Sequence, residues 1–201
     1  MPNNGLDYGM ILVEGTVGSG KSTTVAAYAI DEYRKSEGKL KIFAVNMHLY
    51  STPDLKIKYV YCSSVYQLLK LINSDVISDG IIIIDESYIE ADARRSSNPM
   101  TLVLTWFSQQ IRKRHIHMYY IVQNGRFLEW RIRWMIFKRI VCEADDKVPG
   151  RIWLNVKYLQ GAKRGTEKKF WYDGSPYWKY FNTDELPHVS DKMLERVKAW
   201  S

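Results

Sequence analysis

The sequence predicts a single α/β domain with a mostly parallel central sheet flanked by helices, followed by a C-terminal antiparallel β-hairpin and a terminal helix. Three observations carry this expectation. A short β-rich run at residues 10–13 leads directly into the glycine-rich segment Gly15-Thr16-Val17-Gly18-Ser19-Gly20-Lys21-Ser22, which opens a stretch with helical spacing. Ile81, Ile82, Ile83 and Ile84 form a continuous β-branched run, the pattern of a central strand buried on both faces. Strand-like and helix-like segments alternate up to about residue 143, which implies parallel pairing through right-handed crossovers.

Taken in order, Val25, Tyr28, Ala29 and Tyr33 define the apolar face of the first helix, which stops around Glu37-Gly38. Residues 41–45 and 59–62 read as strands. Ser63 or Ser64 caps a helix carrying Val65, Leu68, Leu69 and Ile72. Pro99 opens a helix through about Arg114, with Val103, Trp106, Phe107 and Ile111 expected to face inward. Residues 117–122 form the next strand, 127–135 a helix and 139–143 a further strand. Beyond Pro149-Gly150 the pattern changes: residues 152–158 and 168–172 alternate around Gly161 and Gly165, predicting a hairpin at the sheet edge. The aromatic stretch 171–181 reads as a loop packed on the sheet. Ser190 caps a last helix carrying Met193, Leu194, Val197 and Trp200. No repeat or linker divides the chain, so residues 8–143 are read as the core, 151–173 as the edge hairpin and 190–200 as the terminal helix.

Hydrophobic residues make up 46% and charged residues 25% of the 201, a balance that excludes a disordered chain. The net charge of +7 fits an anionic partner such as nucleic acid, and equally a generally basic surface. Cys62 and Cys142 lie far apart with no metal-ligand spacing, which favours free thiols in a reducing compartment. The first residues lack the basic and apolar regions of a signal peptide, and no apolar run is long enough for a bilayer. A soluble, cytoplasmic protein with no membrane partner is the expectation.

Gly15 to Ser22 fits the pattern G-x-x-x-x-G-K-S. Its glycines allow the tight turn that aims successive backbone N–H groups at phosphate oxygens, at the positive end of the following helix. Lys21 is placed to reach the β- and γ-phosphates of ATP, and the Ser22 hydroxyl to coordinate Mg²⁺. Thr23 extends the cradle as a neighbour. Asp85 and Glu86 follow the four isoleucines and so emerge where a central strand leaves the sheet, the end at which open parallel sheets bind ligands. Asp85 is expected to hold Mg²⁺ or one of its waters, and Glu86 to polarise the attacking water as a general base. Glu14 has a weaker claim, since it also simply flanks the loop.

Gln123 and Asn124 end a strand expected beside residues 81–85. There Gln123 is placed to touch both the γ-phosphate and the attacking water. From residue 111 to 140 there are eight basic residues against one acid, Glu129. This clustering fits a face for phosphate backbones, and it supplies candidates for an arginine placed on a neighbour's γ-phosphate: Arg112, Arg114 and Arg133. Two weaker basic features are Arg94-Arg95 and Lys163-Arg164. His115 and His117 read as non-metal residues. Trp130 and Trp134, spaced i,i+4, read as packing residues rather than base-stacking ones.

Together, Gly15 to Ser22, Ile81 to Glu86, the basic helix end Gln110 to Arg114, the strand ending in Gln123 and the Arg131-Ile132-Arg133 segment resemble the FtsK/HerA superfamily of DNA-pumping ATPases. More narrowly, they resemble the small genome-packaging and Zot-like ATPases of viruses and phages. The resemblance covers residues 8–143. It implies a P-loop NTPase domain of RecA/FtsK-like type and a homo-oligomeric ring, pentamer or hexamer, with ATP at subunit interfaces. It also implies double-stranded DNA in the channel and a capsid or portal-vertex partner, with Gln123 as the sensor glutamine. A thymidine-kinase-type nucleoside kinase is the main competing enzyme, although the paired-cysteine zinc site usual there is missing. A nucleotide-gated DNA-binding protein is the competing non-enzyme.

Overall fold

A computed structural model of the chain describes residues 8–72, 77–85 and 99–182. These form β1 (Gly9–Glu14), α1 (Lys21–Lys35), β2 (Lys41–Val45), β3 (Tyr59–Cys62), α2 (Val65–Ile72), β4 (Gly80–Asp85), α3 (Pro99–Gln110), β5 (Ile116–Val122), α4 (Trp130–Met135), β6 (Ile136–Ala144), β7 (Arg151–Tyr158) and β8 (Glu167–Asp173). The strands make one sheet in the order β3-β2-β4-β5-β1-β6-β7-β8. All pairs from β3 to β6 are parallel, and β7 and β8 add antiparallel strands at one edge.

Side chains alternate across the sheet, so each central strand feeds two cores. Ile82 and Ile84 join Met10, Leu12, Leu68, Leu104 and Phe107 on the face covered by α2, α3 and α4. Ile81 and Ile83 join Ile11, Val13, Val25 and Ile30 on the α1 face. A strand whose two faces are both covered has no polar side to show, which is why residues 81–84 are isoleucine throughout. At α2, Ser64 Oγ accepts from the Gln67 N–H at 3.3 Å, while Gln67 Oε1 accepts from the Ser63 N–H at 2.9 Å. Both expected serines therefore contribute to the cap.

Three local expectations are corrected. α3 ends at Gln110, and a hydrogen-bonded turn carries the chain to His115, whose φ of 54° ends the helical path. Its inward face holds Leu104, Phe107 and, just beyond, Ile111; Val103 and Trp106 are exposed on the flank. The segment 127–135 is also not one helix. A 3₁₀ turn at Gly125–Phe127 precedes α4, and the break falls at Leu128, which is extended and buried.

The hairpin β7–β8 stands at the expected edge, and the aromatic segment after it forms a 3₁₀ helix, Ser175–Tyr180, laid against α1. There the Tyr177 hydroxyl donates to Asp31 and the Tyr180 hydroxyl to Asp54, both at 2.8–3.0 Å. No helix among the described residues is long and apolar enough to cross a membrane. The expected terminal helix at 190–200, with its Ser190 cap, lies outside the described residues.

Candidate active site

β1 ends at Glu14 and the chain turns at once into the glycine loop, so the loop sits at the carboxyl edge of the parallel sheet. Gly20 occupies the N-cap position of α1 with φ 85°, a left-handed conformation that favours glycine. A Cβ there would lie 2.5 Å from Ile152 Cδ1 of β7, so the position also has no room for a side chain. With a glycine cap, no side chain occupies the first N–H groups of α1, which remain available to an anion at the positive end of the helix. Ser19 is buried, and its hydroxyl makes no hydrogen bond with the described residues. Lys21 Nζ donates to the Thr16 carbonyl at 2.7 Å, which folds the lysine back along the loop.

A cleft of about 870 Å³ opens over this loop. Val17, Gly18, Gly20, Lys21, Ser22 and Thr23 line it, whereas Gly15, Thr16 and Ser19 support the loop from outside the lining. Its remaining walls include Asp85 and Gln123 on one side, Pro149 to Ile152 on another, and Trp178 and Phe181. The register explains why Asp85 and Gln123 arrive together. Asp85 pairs with Ile121, and Glu14 with Val122, so β1, β4 and β5 all end within about one residue of the same level.

Ser22 Oγ donates to Asp85 Oδ2 at 3.2 Å. These residues are 63 positions apart in sequence, and they place a hydroxyl and a carboxylate oxygen side by side at the mouth of the glycine loop. Two oxygen donors beside a phosphate cradle are the donor set that Mg²⁺ takes. The residues therefore fit the ion. Glu86 lies outside the described residues, as do Arg94 and Arg95.

Glu14 was legible only as a residue next to the loop, yet it is buried and joined to β6 and to the 3₁₀ turn after β5. Its Oε2 accepts from the Gly125 N–H at 2.7 Å. Its Oε1 accepts from the guanidinium of Arg139 on β6, with Nε at 2.7 Å and Nη2 also in contact. An acid closing an otherwise apolar strand was the one available signal; partners more than a hundred residues away were not readable. Cys142, beneath the loop on β6, donates to Thr24 Oγ1 at 3.4 Å, and burial pushes its thiol up to about 11.

The three candidate arginines do not enter this cleft. Arg112 and Arg114 precede β5, and Arg133 precedes β6, which puts all three at the amino edge of the sheet. Arg112 lies over the Phe137 ring and Arg114 over that of Phe107, at 5.6 and 5.9 Å. The hairpin tip with Lys163 and Arg164 reaches the same edge, because β7 ends at Tyr158 opposite Lys138 near the start of β6. Trp130 and Trp134 correct a further expectation: they do not pack in the core but stand exposed on α4, whose buried residue is Ile132.

No protein-family model matches the sequence, and no curated protein matches it. Solved structures do match. The N-terminal domain of zonular occludens toxin from Neisseria meningitidis superposes with a TM-score of 0.61 at 19% identity, covering 87% of this chain and 98% of that one. The chain has a P-loop NTPase fold. The genome packaging NTPase of Sulfolobus turreted icosahedral virus 2, solved with ATP-γS, gives a TM-score of 0.56 at 14% identity over 81% of this chain and 96% of its own. A KaiC-like protein from Pyrococcus horikoshii gives 0.55 at 17% identity over 86% and 88%. The fold is thus similar to those of Zot-like and viral packaging ATPases, as the sequence resemblance implied.

Proposed function

We propose that this chain is a Mg-ATP-hydrolysing DNA translocase of the FtsK/HerA type, working as a ring that packages a viral genome. The observation that carries the reading is the meeting of Ser22 and Asp85 at 3.2 Å over the glycine loop, with Gln123 lining the same cleft. Gly15 to Ser22, with Thr23 behind them, cradle the phosphates of ATP. Lys21 swings from the Thr16 carbonyl to the β- and γ-phosphates. Ser22 and Asp85 hold Mg²⁺, which when bound offsets charge on the transferring phosphoryl group. Glu86 takes the proton of the attacking water, and Gln123 orients that water against the γ-phosphate.

The position of the arginines supports a ring. Arg112, Arg114 and Arg133 sit at the edge opposite their own cleft, about 20 Å away along the strands. One of them completes a site only by reaching a neighbouring subunit's γ-phosphate. In this reading double-stranded DNA occupies the ring's channel, a capsid or portal vertex is the docking partner, and the host cytoplasm is the setting. Fold similarity to a genome packaging NTPase solved with an ATP analogue supports the same choice.

The deciding experiment is steady-state ATP hydrolysis across a range of protein concentrations, with and without double-stranded DNA. Turnover per chain that rises with concentration and again with DNA is expected. Turnover indifferent to both would overturn the motor and leave a bare NTPase.

A further inference from the structure

At the amino edge of the sheet, α4 and the β7–β8 hairpin tip enclose a second groove of about 780 Å³, remote from the nucleotide cleft. Trp130 and Trp134 form one wall, and Gln160, Gly161 and Arg164 face them from the hairpin. The two walls are tied together, since Gln160 Nε2 donates to the Trp134 carbonyl at 2.5 Å. Arg133 and Arg164 bring two positive charges, and no acidic residue is among the described residues lining the groove. Glu129, next to Trp130 in sequence, is fully buried and already paired with Arg131.

The tryptophans are 55% and 76% exposed, an unusual presentation for the two largest side chains on one short helix. Their i,i+4 spacing puts both indoles on the same side of α4, away from the buried Ile132. Flat aromatic faces next to guanidinium groups match a chain that alternates flat bases with negative phosphates.

We infer that this groove binds an unpaired segment of DNA, with bases stacked on Trp130 and Trp134 and phosphates on Arg133 and Arg164. A duplex would satisfy the arginines but keep its base faces stacked inside, leaving the indoles without partners. The choice of DNA over RNA rests on the translocase reading above; the groove's preference for an unpaired strand does not.

The test is fluorescence anisotropy with a labelled oligothymidine of about twelve nucleotides, a typical single-strand footprint, in the absence of ATP. An abasic chain of equal length, a duplex of equal length and an oligouridine are the comparison probes. Oligothymidine is expected to bind about tenfold or more tighter than the abasic chain and the duplex. Trp134→Ala and Trp130→Ala should each remove about tenfold of that affinity and leave abasic binding unchanged. Arg164→Ala should weaken oligothymidine and abasic chain alike and shallow the salt dependence. Equal binding of the abasic chain or the duplex, or unchanged binding by Trp134→Ala, would overturn base stacking. Tighter oligouridine would overturn the choice of DNA, and a change in oligomeric state on Trp134→Ala would assign the groove to a second copy instead. Because no step needs ATP, failure here is separable from failure of the motor reading.

Discussion

Glu14 Oε2 accepts a hydrogen bond from the Gly125 N–H at 2.7 Å, and this bond joins the strand that feeds the phosphate loop to the turn that follows Gln123. Since Arg139 grips the other carboxylate oxygen, three adjacent strands are locked at the carboxyl edge. Glu14 does not line the cleft; through Gly125 it sets how far the turn after Gln123 stands from the loop.

Glu14→Ala should therefore uncouple the loop from the turn. A buried N–H left without its charged acceptor costs about 1–3 kcal/mol, so a lower melting temperature is expected. ATP hydrolysis should fall several-fold through kcat, with nucleotide affinity nearly kept, since the glycine loop itself is untouched. Gly125→Ala tests the same joint from the other side. Its Cβ would meet Leu12 Cδ2 at 2.6 Å and Glu14 Oε2 at 2.8 Å. Titration with a fluorescent ATP analogue alongside steady-state kinetics separates the two effects; equal loss of binding and turnover would show that Glu14 acts on the loop alone.

Lys21→Ala should abolish detectable ATP binding, because the backbone cradle is left without its cation against the γ-phosphate. Asp85→Asn should retain nucleotide binding but require much higher Mg²⁺ for turnover, since one of the two oxygens meeting at 3.2 Å loses its charge. Magnesium titrations of hydrolysis read the second effect directly. Tight ATP binding by Lys21→Ala would contradict the placement of the phosphates.

The corrected face of α3 gives a contrast in stability. Phe107 is fully buried between α3 and the sheet, and its truncation to alanine should cost about 3–5 kcal/mol. Trp106, its neighbour in sequence, is half exposed, so Trp106→Ala should stay within about 0.5 kcal/mol. Denaturant unfolding of the two variants compares them.

Glu32 carries a pH prediction. Its side chain, on the sheet-facing side of α1, is only 16% exposed, with Oε1 accepting from the Tyr119 hydroxyl at 3.3 Å and His117 Nε2 3.9 Å from Oε2. Burial raises its carboxyl above the ordinary 4.5, although Lys138 and Lys35 pull it down, while Asp31 raises it further. The folded state then holds this proton more tightly than the unfolded chain, so stability falls as pH climbs from about 4.5 through the raised value. Glu32→Gln should remove that decline and raise stability at neutral pH. Melting temperatures of both proteins between pH 4 and 7 check it.

How much could be read in advance followed the range of the interactions involved. The glycine loop, the isoleucine strand and the strand end at Gln123 were legible because each is a local pattern set by backbone geometry or two-sided burial. The strand ending at Gln123 was expected beside residues 81–85, and β5 pairs with β4. What stayed hidden was tertiary. The face of α3 misled because Val103, Trp106, Phe107 and Ile111 also fit a helical stripe, and only the sheet decides that Leu104 takes the place of Val103 and Trp106. Trp130 and Trp134 were read as packing residues from their i,i+4 spacing, but Ile132 on the opposite side of α4 fills that role. Glu14's partnership with Gly125 and Arg139 spans more than a hundred residues and leaves no mark in the local pattern.

The placement of the arginines makes the last prediction a mixing experiment. Arg112, Arg114 and Arg133 lie at the edge remote from their own cleft, so a variant lacking the active one should bind ATP normally and hydrolyse almost none. Lys21→Ala has the reverse defect: it fails to bind ATP yet still presents every arginine. Neither variant alone should turn over. In an equal mixture of the two, about a quarter of subunit interfaces would join an intact cleft to an intact arginine, and hydrolysis should recover to a corresponding fraction. Running the mixture with Arg112→Ala, Arg114→Ala and Arg133→Ala in turn identifies which one acts, because only that variant is both inactive alone and rescued. Arg114 has a structural duty as well, its guanidinium donating to the Ile77 carbonyl at 3.4 Å, so a loss of activity there without rescue would mark it as a fold contact. Full activity in all three single variants would place the completing charge elsewhere in the chain. An Arg112 or Arg133 variant that binds ATP, is inactive and is not rescued by Lys21→Ala would mean that its arginine serves its own subunit, against the distance along the strands.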